Sequence, residues 1–365
     1  MFAVDSLHEK IAQMFIVGCR GERAGGDERL LFEEYAFGGF ILFRDNCREP
    51  RQISSLCRQL WHTTLNTPPF IAIDQEGGRV HRLPSAFTHF PAATEIGARR
   101  DRDLAYHCGR AAATELSLVG INLNFAPVLD VNSNPLNPII GDRSFGTEPE
   151  QVIDMSSAWQ RGLRDTGIIP CGKHFPGHGA TEQDSHLALP VVAKSLDELK
   201  AIELSPFAHA CRNGIDALMT AHVRYTALDS NVPATLSERI VTGLLRHQLG
   251  YDGVVFSDDL DMKAISDNFT PQEAAARAVL AGVDALLFCH DLPKAVEACE
   301  FLCAEAEKEP ALRVRVEKSY RRIMELKRRY LKSFTALADD EIIPRLKAMN
   351  HQRIIDELYG SLYAL

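Results

Sequence analysis

Short, almost continuously apolar runs recur along the chain, and polar, helix-forming segments separate them. Uninterrupted apolar runs of this length are typical of strands in a parallel sheet that is covered on both faces, because a sheet with one wet face would show alternation. We predict eight strands, at Met14–Gly18, Phe37–Phe43, Phe70–Asp74, Ile121–Val128, Ile168–Gly172, Ala217–His222, Gly253–Asp258 and Ala285–Cys289.

The segments between the strands carry helix signals. Ser195 is followed three residues later by Glu198, and Thr270 stands directly before Pro271; both are patterns of a helix N-terminus. We predict helices at Arg51–Asn66, Arg102–Leu118, Pro149–Thr166, Ser195–Asn213, Ser237–Leu249, Pro271–Ala281 and Leu292–Lys308. Repeated strand–helix alternation predicts a single parallel (β/α)8 barrel over residues 1–331. A doubly wound open sheet is the alternative, but the Gly-rich nucleotide turn typical of that fold is missing from the sequence.

The C-terminal part continues the helical pattern. From about Leu312 onward, apolar residues repeat at helical spacing, and a cluster of basic residues that includes Arg322 and Lys327 predicts a solvent-exposed face. Residues 332–365 are interpreted as a helical extension, with a further helix over Asp339–Leu365 that docks on the barrel or on a second subunit. Whether the protein is a monomer or a homodimer stays open.

Composition narrows the classes of function. The chain of 365 residues carries a net charge of −9 and has a pI near 5.8, which argues against nucleic acid or an anionic membrane as the main partner. We find no signal peptide at the N-terminus and no apolar run of the roughly 18 residues that a membrane span needs. The 9 scattered cysteines, including Cys299 and Cys303 on one predicted helix, indicate ordinary reduced thiols in a cytoplasmic protein.

Polar side chains collect where the predicted strands end. A parallel barrel carries its active site at the C-terminal ends of its strands, so we expect these side chains to meet in one pocket. They are Asp74, Asp130, Lys173, His174, His222 and Asp258.

The segment from Lys173 to His186 combines one Lys, three His and two carboxylates with Gly and Pro residues, which predict a loop at the end of a strand. Asp184 and His186 are two residues apart and would point the same way in an extended segment, which suits a carboxylate that orients a catalytic imidazole. Two other interpretations stay open, a polar surface loop and a metal site. The metal site would use His174, His178 and His186, although the intervening Pro and Gly argue against the helix that the first pair would need.

Two adjacent carboxylates, Asp258 and Asp259, lie at the end of the strand predicted over Gly253–Asp258. Asp258 ends an apolar run and can face a pocket as a nucleophile, whereas Asp259 would point to the other side of the strand. The alternative is that both carboxylates cap the following helix. Asp74 also ends a strand and can accept hydrogen bonds from two sugar hydroxyls, with an ion-paired or capping role as the alternative.

Together these segments resemble the family 3 glycoside hydrolases, specifically the bacterial β-N-acetylglucosaminidases of cell-wall recycling. The resemblance extends over about residues 10–330. The motifs that carry it are KHFPGHGxxxxDSH from Lys173, D-x-E-G-G-R-V-x-R from Asp74, R-S-F-G from Arg143 and S-D ending at Asp258.

The resemblance assigns roles to residues of this chain. It places the nucleophile on Asp258 and substrate binding on Asp74, Arg82, Arg143, Lys173 and His174. We predict that the acid/base is His186, oriented by Asp184, in place of the more usual Glu. An imidazole titrates near pH 6.5 and can therefore first donate and then remove a proton.

The implied activity is hydrolysis, with retention of configuration, of terminal β-linked N-acetylglucosamine. In the cytoplasm the implied substrates are GlcNAc-anhydroMurNAc muropeptides from peptidoglycan turnover, and neither a metal nor an organic cofactor is required. Four alternatives stay open: a phosphorylase, a family 3 β-glucosidase, a metal-dependent hydrolase and a non-catalytic muropeptide-binding protein.

Overall fold

The computed structural model describes residues 6–64, 67–182, 189–334 and 336–360. Its centre is a closed barrel of parallel strands, which confirms the (β/α)8 prediction and excludes the doubly wound sheet. The barrel strands, in their order around the barrel, are β1 (Phe15–Gly18), β2 (Gly39–Leu42), β3 (Phe70–Ile73), β4 (Leu123–Asn124), β5 (Ile169–Phe175), β7 (Ala217–Thr220), β9 (Val254–Asp259) and β10 (Ala285–Phe288). Two further short strands, β6 (Val191–Val192) and β8 (Arg224–Tyr225), pair with each other outside the barrel.

Helices surround the barrel, and most of them lie where the sequence predicted. They are α1 (Leu7–Ala12), α2 (Gly26–Tyr35), α3 (Pro50–Trp61), α4 (Ala93–Ala98), α5 (Arg102–Leu118), α6 (Pro149–Asp165), α7 (Leu196–Ala201), α8 (Leu204–Arg212), a π-helix (Arg239–Gln248), α9 (Lys263–Ser266), α10 (Pro271–Ala281), α11 (Leu292–Lys308), α12 (Pro310–Tyr330), α13 (Asp339–Met349) and α14 (Gln352–Gly360). The capping box predicted at Ser195 is present, and the helix start predicted at Thr270–Pro271 is also present, with a capping box between Thr270 and Glu273.

Some elements differ from the prediction for local physical reasons. The single helix expected over Ser195–Asn213 is the pair α7 and α8, because Pro206 suits the first turn of a helix and not its middle. The sequence did not predict α2, in which only Phe32 and Tyr35 are buried, so the helical apolar pattern is weak.

Strand β5 is longer than predicted, and this changes the description of the functional loop. Lys173 and His174 belong to the strand rather than to a loop, although Gly and Pro residues follow them closely. The backbone of Lys173 is held in the barrel wall, since its carbonyl accepts from the Leu129 N–H at 2.7 Å and its own N–H donates to the Pro127 carbonyl at 3.2 Å. Both side chains therefore project from a rigid element.

Aromatic rings fill the barrel interior below the strand ends. Phe256 of β9 contacts Phe70 of β3 at 5.9 Å and Phe125 at 5.5 Å between ring centroids, in edge-to-face geometry. Strands β3 and β9 are not neighbours in the barrel, so this contact crosses the interior. The interior is therefore a packed core that gives the site a solid floor.

Helix α12 closes the opposite, N-terminal end of the barrel. Buried Lys327 donates from Nζ to Gln13 Oε1 at 2.6 Å and to the Gly38 carbonyl at 2.8 Å, and it lies 4.8 Å from the centre of the Phe70 ring. The solvent-exposed role that the basic cluster predicted is thus wrong for Lys327.

The C-terminal segment forms two helices instead of the one expected. Asn350, with a left-handed φ of 47°, ends α13, and α14 begins at Gln352. Helix α13 packs on α3 and α14 on α5, where His351 lies 3.0 Å from Glu115. The boundary at residues 331 and 332 stays a prediction. Among the helices of the described residues, none has both the length and the apolar content to span a bilayer.

Asp284 is a fully buried carboxylate just before β10. Its two oxygens accept hydrogen bonds from the Val255 N–H at 3.0 Å and Ser319 Oγ at 2.8 Å, and they pair with the guanidinium groups of Arg246 and Arg322. These contacts join β9, β10, the π-helix and α12 at the N-terminal end of the barrel.

Replacing Asp284 by Ala should lower the free energy of unfolding by about 3–5 kcal/mol, because it leaves buried guanidinium charge without its partner. Chemical denaturation of both proteins measures the change. Asp252→Ala is the matched control, because Asp252 also pairs with Arg322, at 2.6 Å, but its side chain is 86% exposed. Equal losses in the two variants would show that burial does not set the strength of the Asp284 contacts.

Candidate active site

A cavity of about 480 Å³ opens at the C-terminal ends of the barrel strands. The predicted nucleophile and the five predicted substrate-binding residues line it together, although they come from distant parts of the chain. They are Asp74, Arg82, Arg143, Lys173, His174 and Asp258. His222, which the sequence also placed at a strand end, is fully buried beneath the cavity.

Lys173 is the central cation of the cavity wall. Its Nζ lies 2.6 Å from Asp74 Oδ1 and 2.7 Å from Glu76 Oε1, while its side chain is only 3% exposed. Burial lowers the pKa of Lys173, but the two carboxylates outweigh burial and raise it above its usual value. The ammonium is therefore charged at neutral pH and holds Asp74 in a fixed position.

Glu76 is a site residue that the sequence analysis did not name. Its carboxylate accepts two hydrogen bonds from the Arg143 guanidinium, at 2.8 Å each, in addition to the contact with Lys173. Burial raises the pKa of Glu76, but Arg143 and Lys173 hold it well below its usual range. The signal that could have found it is the motif itself, since Glu76 lies two residues beyond Asp74.

His174 is fixed by a buried carboxylate. Asp130 is fully buried, and its Oδ2 lies 2.7 Å from His174 Nδ1. The same carboxylate accepts from the backbone N–H groups of His174 and His178, at 3.1 and 2.7 Å for Oδ1. Burial raises the pKa of Asp130, whereas His174 and His178 lower it, with a net lowering. Since Asp130 engages Nδ1, the His174 ring presents its other nitrogen, Nε2, to the Arg143 side of the cavity, at 3.5 Å from Nη2.

The three-histidine metal site stays untested, because His186 lies outside the described residues. His178 is buried, with Nδ1 at 3.0 Å from Thr181 Oγ1, and its ring meets that of His174 edge-to-face at 5.7 Å. Burial and His174 lower the pKa of His178 to about 4. Among the described residues, neither imidazole belongs to a group with the spacing of metal ligands.

Asp258 reaches the cavity from the end of β9. Its Oδ1 accepts from the backbone N–H of Asp259 at 2.8 Å, and its side chain is half-buried. Burial raises the pKa of Asp258, but His222, His174, the Asp259 N–H and Lys173 together lower it below its usual value. Asp258 is therefore an ionised carboxylate at neutral pH that faces the cavity.

Asp259 differs from its neighbour in contacts and in protonation. Its carboxylate turns toward the end of β10, where Oδ1 accepts from the backbone N–H groups of Asp261 and Cys289 at 3.0 and 3.1 Å, although it also forms part of the cavity wall. Burial, followed by the charges of Asp261 and Asp258, raises the pKa of Asp259 to about 7. Two adjacent carboxylates therefore have opposite pKa shifts.

His222 supports this pair from below. Its Nε2 lies 2.9 Å from the Asp259 carbonyl and its Nδ1 lies 2.8 Å from Thr235 Oγ1. The ring does not line the cavity, but it lowers the pKa of Asp258. His222 therefore acts on the cavity through the end of β9.

Arg82 forms the outer wall of the cavity. Its backbone N–H donates to Gln75 Oε1 at 3.0 Å, its guanidinium lies 5.8 Å from the centre of the Phe43 ring, and its Nη2 is 3.9 Å from Asp74 Oδ2. Within the described part of the chain, the buried Nε of Arg82 has no hydrogen-bond acceptor. A buried donor without an acceptor is costly, so a ligand oxygen would satisfy it.

The predicted acid/base pair, Asp184 and His186, lies outside the described residues. The description stops at Glu182 and resumes at Leu189. The flank before this gap is anchored by Asn137, whose Nδ2 donates to the carbonyl groups of His178 and Gly179 at 2.9 Å each. The roles of Asp184 and His186 therefore stay predictions.

Comparison with known proteins identifies relatives over most of the chain. Residues 6–326 match the family model described as Glycosyl hydrolase family 3 N terminal domain. A protein named β-hexosaminidase from Alkalilimnicola ehrlichii is 40% identical over 289 residues, which cover 78% of this chain and 82% of that protein.

Solved structures agree with this result. A family 3 β-N-acetylglucosaminidase from Paenibacillus sp. aligns with a TM-score of 0.87 and 40% identity, over 94% of this chain and 68% of that one. NagZ from Neisseria gonorrhoeae, solved in complex with N-trifluoroacetyl-D-glucosamine, aligns with a TM-score of 0.76 and 33% identity, over 95% of this chain and 97% of that one. The family resemblance carried by the sequence motifs is confirmed.

The raised pKa of Asp259 gives a prediction about stability. Its pKa is near 3.9 in an unfolded chain and about 7 in the folded protein, so the stability that this group contributes is full below about pH 4 and is lost as the pH rises through about 7. Asp259→Asn keeps the Oδ1 acceptor and cannot ionise. Relative to this variant, the wild type should lose up to about 4 kcal/mol of unfolding free energy between pH 4 and pH 8.

Denaturant unfolding of both proteins at several pH values measures this difference. Asp267→Asn is the control, because Asp267 is exposed and no such pH dependence is expected there. A difference between the wild type and Asp259→Asn that stays constant with pH would contradict the assignment.

Proposed function

The chain belongs to glycosyl hydrolase family 3, and we propose that it is a retaining, exo-acting β-N-acetylglucosaminidase. Its relatives show that it is a glycoside hydrolase. The proposal concerns its mechanism, its catalytic and binding residues, and its substrate. The observation that carries the proposal is that Asp258, a carboxylate with a lowered pKa, shares one cavity with the charged groups of Lys173 and Arg143.

Asp258 acts as the nucleophile. One carboxylate oxygen attacks the anomeric carbon, the glycosidic C–O bond breaks, and the leaving oxygen takes a proton from His186, which gives a covalent glycosyl-enzyme. His186 then removes a proton from water, whose oxygen attacks the same carbon and releases Asp258. Two inversions leave the configuration unchanged. The lowered pKa of Asp258 supports this role, because the nucleophile must be ionised at the outset.

The ion cluster around Lys173 holds the sugar. The Asp74 carboxylate can accept hydrogen bonds from two sugar hydroxyl groups, and Lys173 can donate to a neighbouring oxygen. Because His174 donates from Nδ1 to Asp130, its Nε2 can accept from a further hydroxyl group. Arg82 and Arg143 supply guanidinium donors, and the unsatisfied Nε of Arg82 supports a ligand contact. A cavity of about 480 Å³ with a packed aromatic floor suits binding of one terminal sugar and hence exo-cleavage.

Asp184 orients the His186 ring and raises its pKa, so that the imidazole can be protonated in the first step and neutral in the second. A histidine acid/base is consistent with the described cavity. Asp259, the neighbour of Asp258, turns its carboxylate toward the end of β10 and accepts backbone hydrogen bonds there. It is therefore poorly placed to protonate a leaving group.

The natural substrates on this proposal are GlcNAc-anhydroMurNAc muropeptides of peptidoglycan recycling, hydrolysed in the cytoplasm. The net charge of −9 is compatible with a small glycan substrate and not with a polyanionic partner. The glucosamine derivative in the Neisseria gonorrhoeae structure supports an N-acylated sugar in this kind of cavity.

One assay tests the function. The protein is given an aryl β-N-acetylglucosaminide, the matching aryl β-glucoside and GlcNAc-anhydroMurNAc, and the products are identified in phosphate buffer and in phosphate-free buffer with a chelator. We expect release of free N-acetylglucosamine from the first and third substrates in both buffers. A sugar phosphate product would indicate a phosphorylase, preference for the glucoside a β-glucosidase, and loss of activity with chelator a metal-dependent hydrolase.

The recognition roles predict strong kinetic effects at Asp74 and Arg143. Alanine at either position should cost about 2–4 kcal/mol in kcat/KM, because a charged hydrogen bond in a buried site is lost and its partner is left unpaired. Steady-state kinetics measure the effect, and circular dichroism checks folding. Arg102→Ala is the control, since Arg102 pairs with Asp154 at the exposed surface. Near-wild-type kinetics in both site variants would remove these residues from the binding site.

The nucleophile assignment predicts both a loss and a label. Asp258→Ala should lower kcat more than about 1000-fold, because no covalent intermediate can form. A 2-fluoro sugar should label Asp258 in the wild type, and peptide mass spectrometry locates the label. Asp259→Asn is the matched control and should still be labelled at Asp258. A label on Asp259, or on any other carboxylate, would show the assignment to be wrong.

The acid/base assignment predicts a shared defect at Asp184 and His186. Alanine at each should damage the same step, and the double variant should be little worse than the worse single variant. Aryl leaving groups need less protonation, so their cleavage should suffer less in His186→Ala than cleavage of the natural disaccharide. Kinetics of all three variants on both substrates decide the matter. Equal losses for the two leaving groups, or fully additive effects, would contradict the dyad.

A further inference from the structure

A second cluster of reactive side chains lies on the outer surface of the barrel, away from the substrate cavity. Helix α1 leads into the N-terminal end of β1, and α11 runs back from the C-terminal end of β10, so the two helices lie side by side. His8 of α1 faces Cys299 and Cys303 of α11 across this contact. The cavity at the opposite strand ends contains none of the three.

The geometry of this cluster is that of a set of metal ligands. One ligand atom from each of the three residues lies within 4.8 Å of the others. Cys299 and Cys303 are one helical turn apart, so both thiols lie on the face of α11 that meets α1. Among the described residues, no other group of three His, Cys or carboxylate side chains brings its ligand atoms this close together.

The surroundings suit a bound cation. Glu300 Oε1 lies 3.5 Å from His8 Nε2, and it accepts a hydrogen bond from Tyr35 OH at 2.7 Å. A carboxylate that holds one nitrogen of an imidazole, so that the other can bind metal, is the usual support around a metal-ligating histidine. The His8 side chain is 40% exposed, which leaves an entry path from solvent.

We propose that His8, Cys299 and Cys303 form a structural binding site for a zinc-like divalent cation that joins α1 to α11. Two thiolates and one imidazole are the donors that Zn²⁺ prefers, and a water completes the tetrahedron. Donor atoms in such a site are roughly 3.3–3.8 Å apart. The three ligand atoms here lie within 4.8 Å of one another, so cation binding needs their separations to shorten by at most about 1 Å. Rotation of partly exposed His8 and Cys303 side chains supplies this movement.

The expected consequence is stability rather than catalysis. Helix α1 is only six residues long, and a cation bound by both helices would fix it to the barrel wall. A cation that binds the folded chain alone raises its stability by mass action. The proposal is independent of the proposed hydrolytic mechanism, because none of these side chains touches the substrate cavity.

The test uses the full-length protein, reduced and stripped of metal, titrated with Co²⁺ as a spectroscopic probe and then with Zn²⁺. We expect thiolate-to-cobalt charge-transfer absorption that saturates at one equivalent and disappears as Zn²⁺ displaces the probe. Zn²⁺ should also raise the midpoint of thermal unfolding. Because Cys289 lines the substrate cavity, the thiolate band is assigned to the proposed site by the variants at Cys299 and Cys303.

Variants locate the site. Cys303→Ser, at a partly exposed position, should weaken the band and lower Co²⁺ affinity at least about tenfold, and Cys299→Ser with Cys303→Ser should abolish the band. His8→Gln should lower affinity and keep the band. Cys211→Ser is the matched control, since Cys211 is also partly exposed but lies on α8.

Three spectroscopic results would overturn the proposal. They are absence of a thiolate band in the wild type, a band that survives in the double cysteine variant, and an equal loss in Cys211→Ser. Circular dichroism and metal-free hydrolysis of an aryl substrate confirm that the variants are folded. A folded double variant with the wild-type increase in thermal midpoint on adding Zn²⁺ would also place the cation elsewhere.

Discussion

The buried ammonium of Lys173 is the group on which the upper end of the barrel depends. It lies between Asp74 and Glu76, and Glu76 in turn holds Arg143. Charges from the segment that follows β3, from β5 and from the turn at residues 141–143 therefore neutralise one another. A buried charge without a partner costs several kcal/mol, so none of these groups is stable there alone. The cluster therefore fixes the shape of the cavity before any ligand arrives, and its fixed charges are the ones that can recognise a sugar.

The adjacent carboxylates at the end of β9 show how environment divides roles between identical side chains. Asp258 faces the cations of the cavity and has a lowered pKa, whereas Asp259 faces the end of β10 and has a pKa raised to about 7. Alternation along the strand separates the two side chains, and His222 acts on both from below. Charge at this strand end is thus concentrated on Asp258, as a nucleophile requires.

The two ends of the barrel carry different kinds of polar network. At the C-terminal end, charged groups surround an open cavity. At the N-terminal end, Asp284 and Lys327 are enclosed by backbone and side-chain partners from α12 and the strands, and they close the barrel. Parallel strands produce this asymmetry, because the loops that enclose a ligand follow the C-terminal ends of the strands.

The sequence by itself determined the barrel, since apolar runs and helix signals are local and their alternation leaves few topologies. It also predicted that Asp74, Lys173 and Asp258 meet at one end of the sheet, because each lies near the C-terminal end of a predicted strand. Only the tertiary structure decided the partners: that Glu76 binds Arg143, that Asp130 fixes His174, and that Lys327 is buried rather than exposed. Pairing of this kind depends on which distant segments meet in space, and periodicity along the chain carries no information about that.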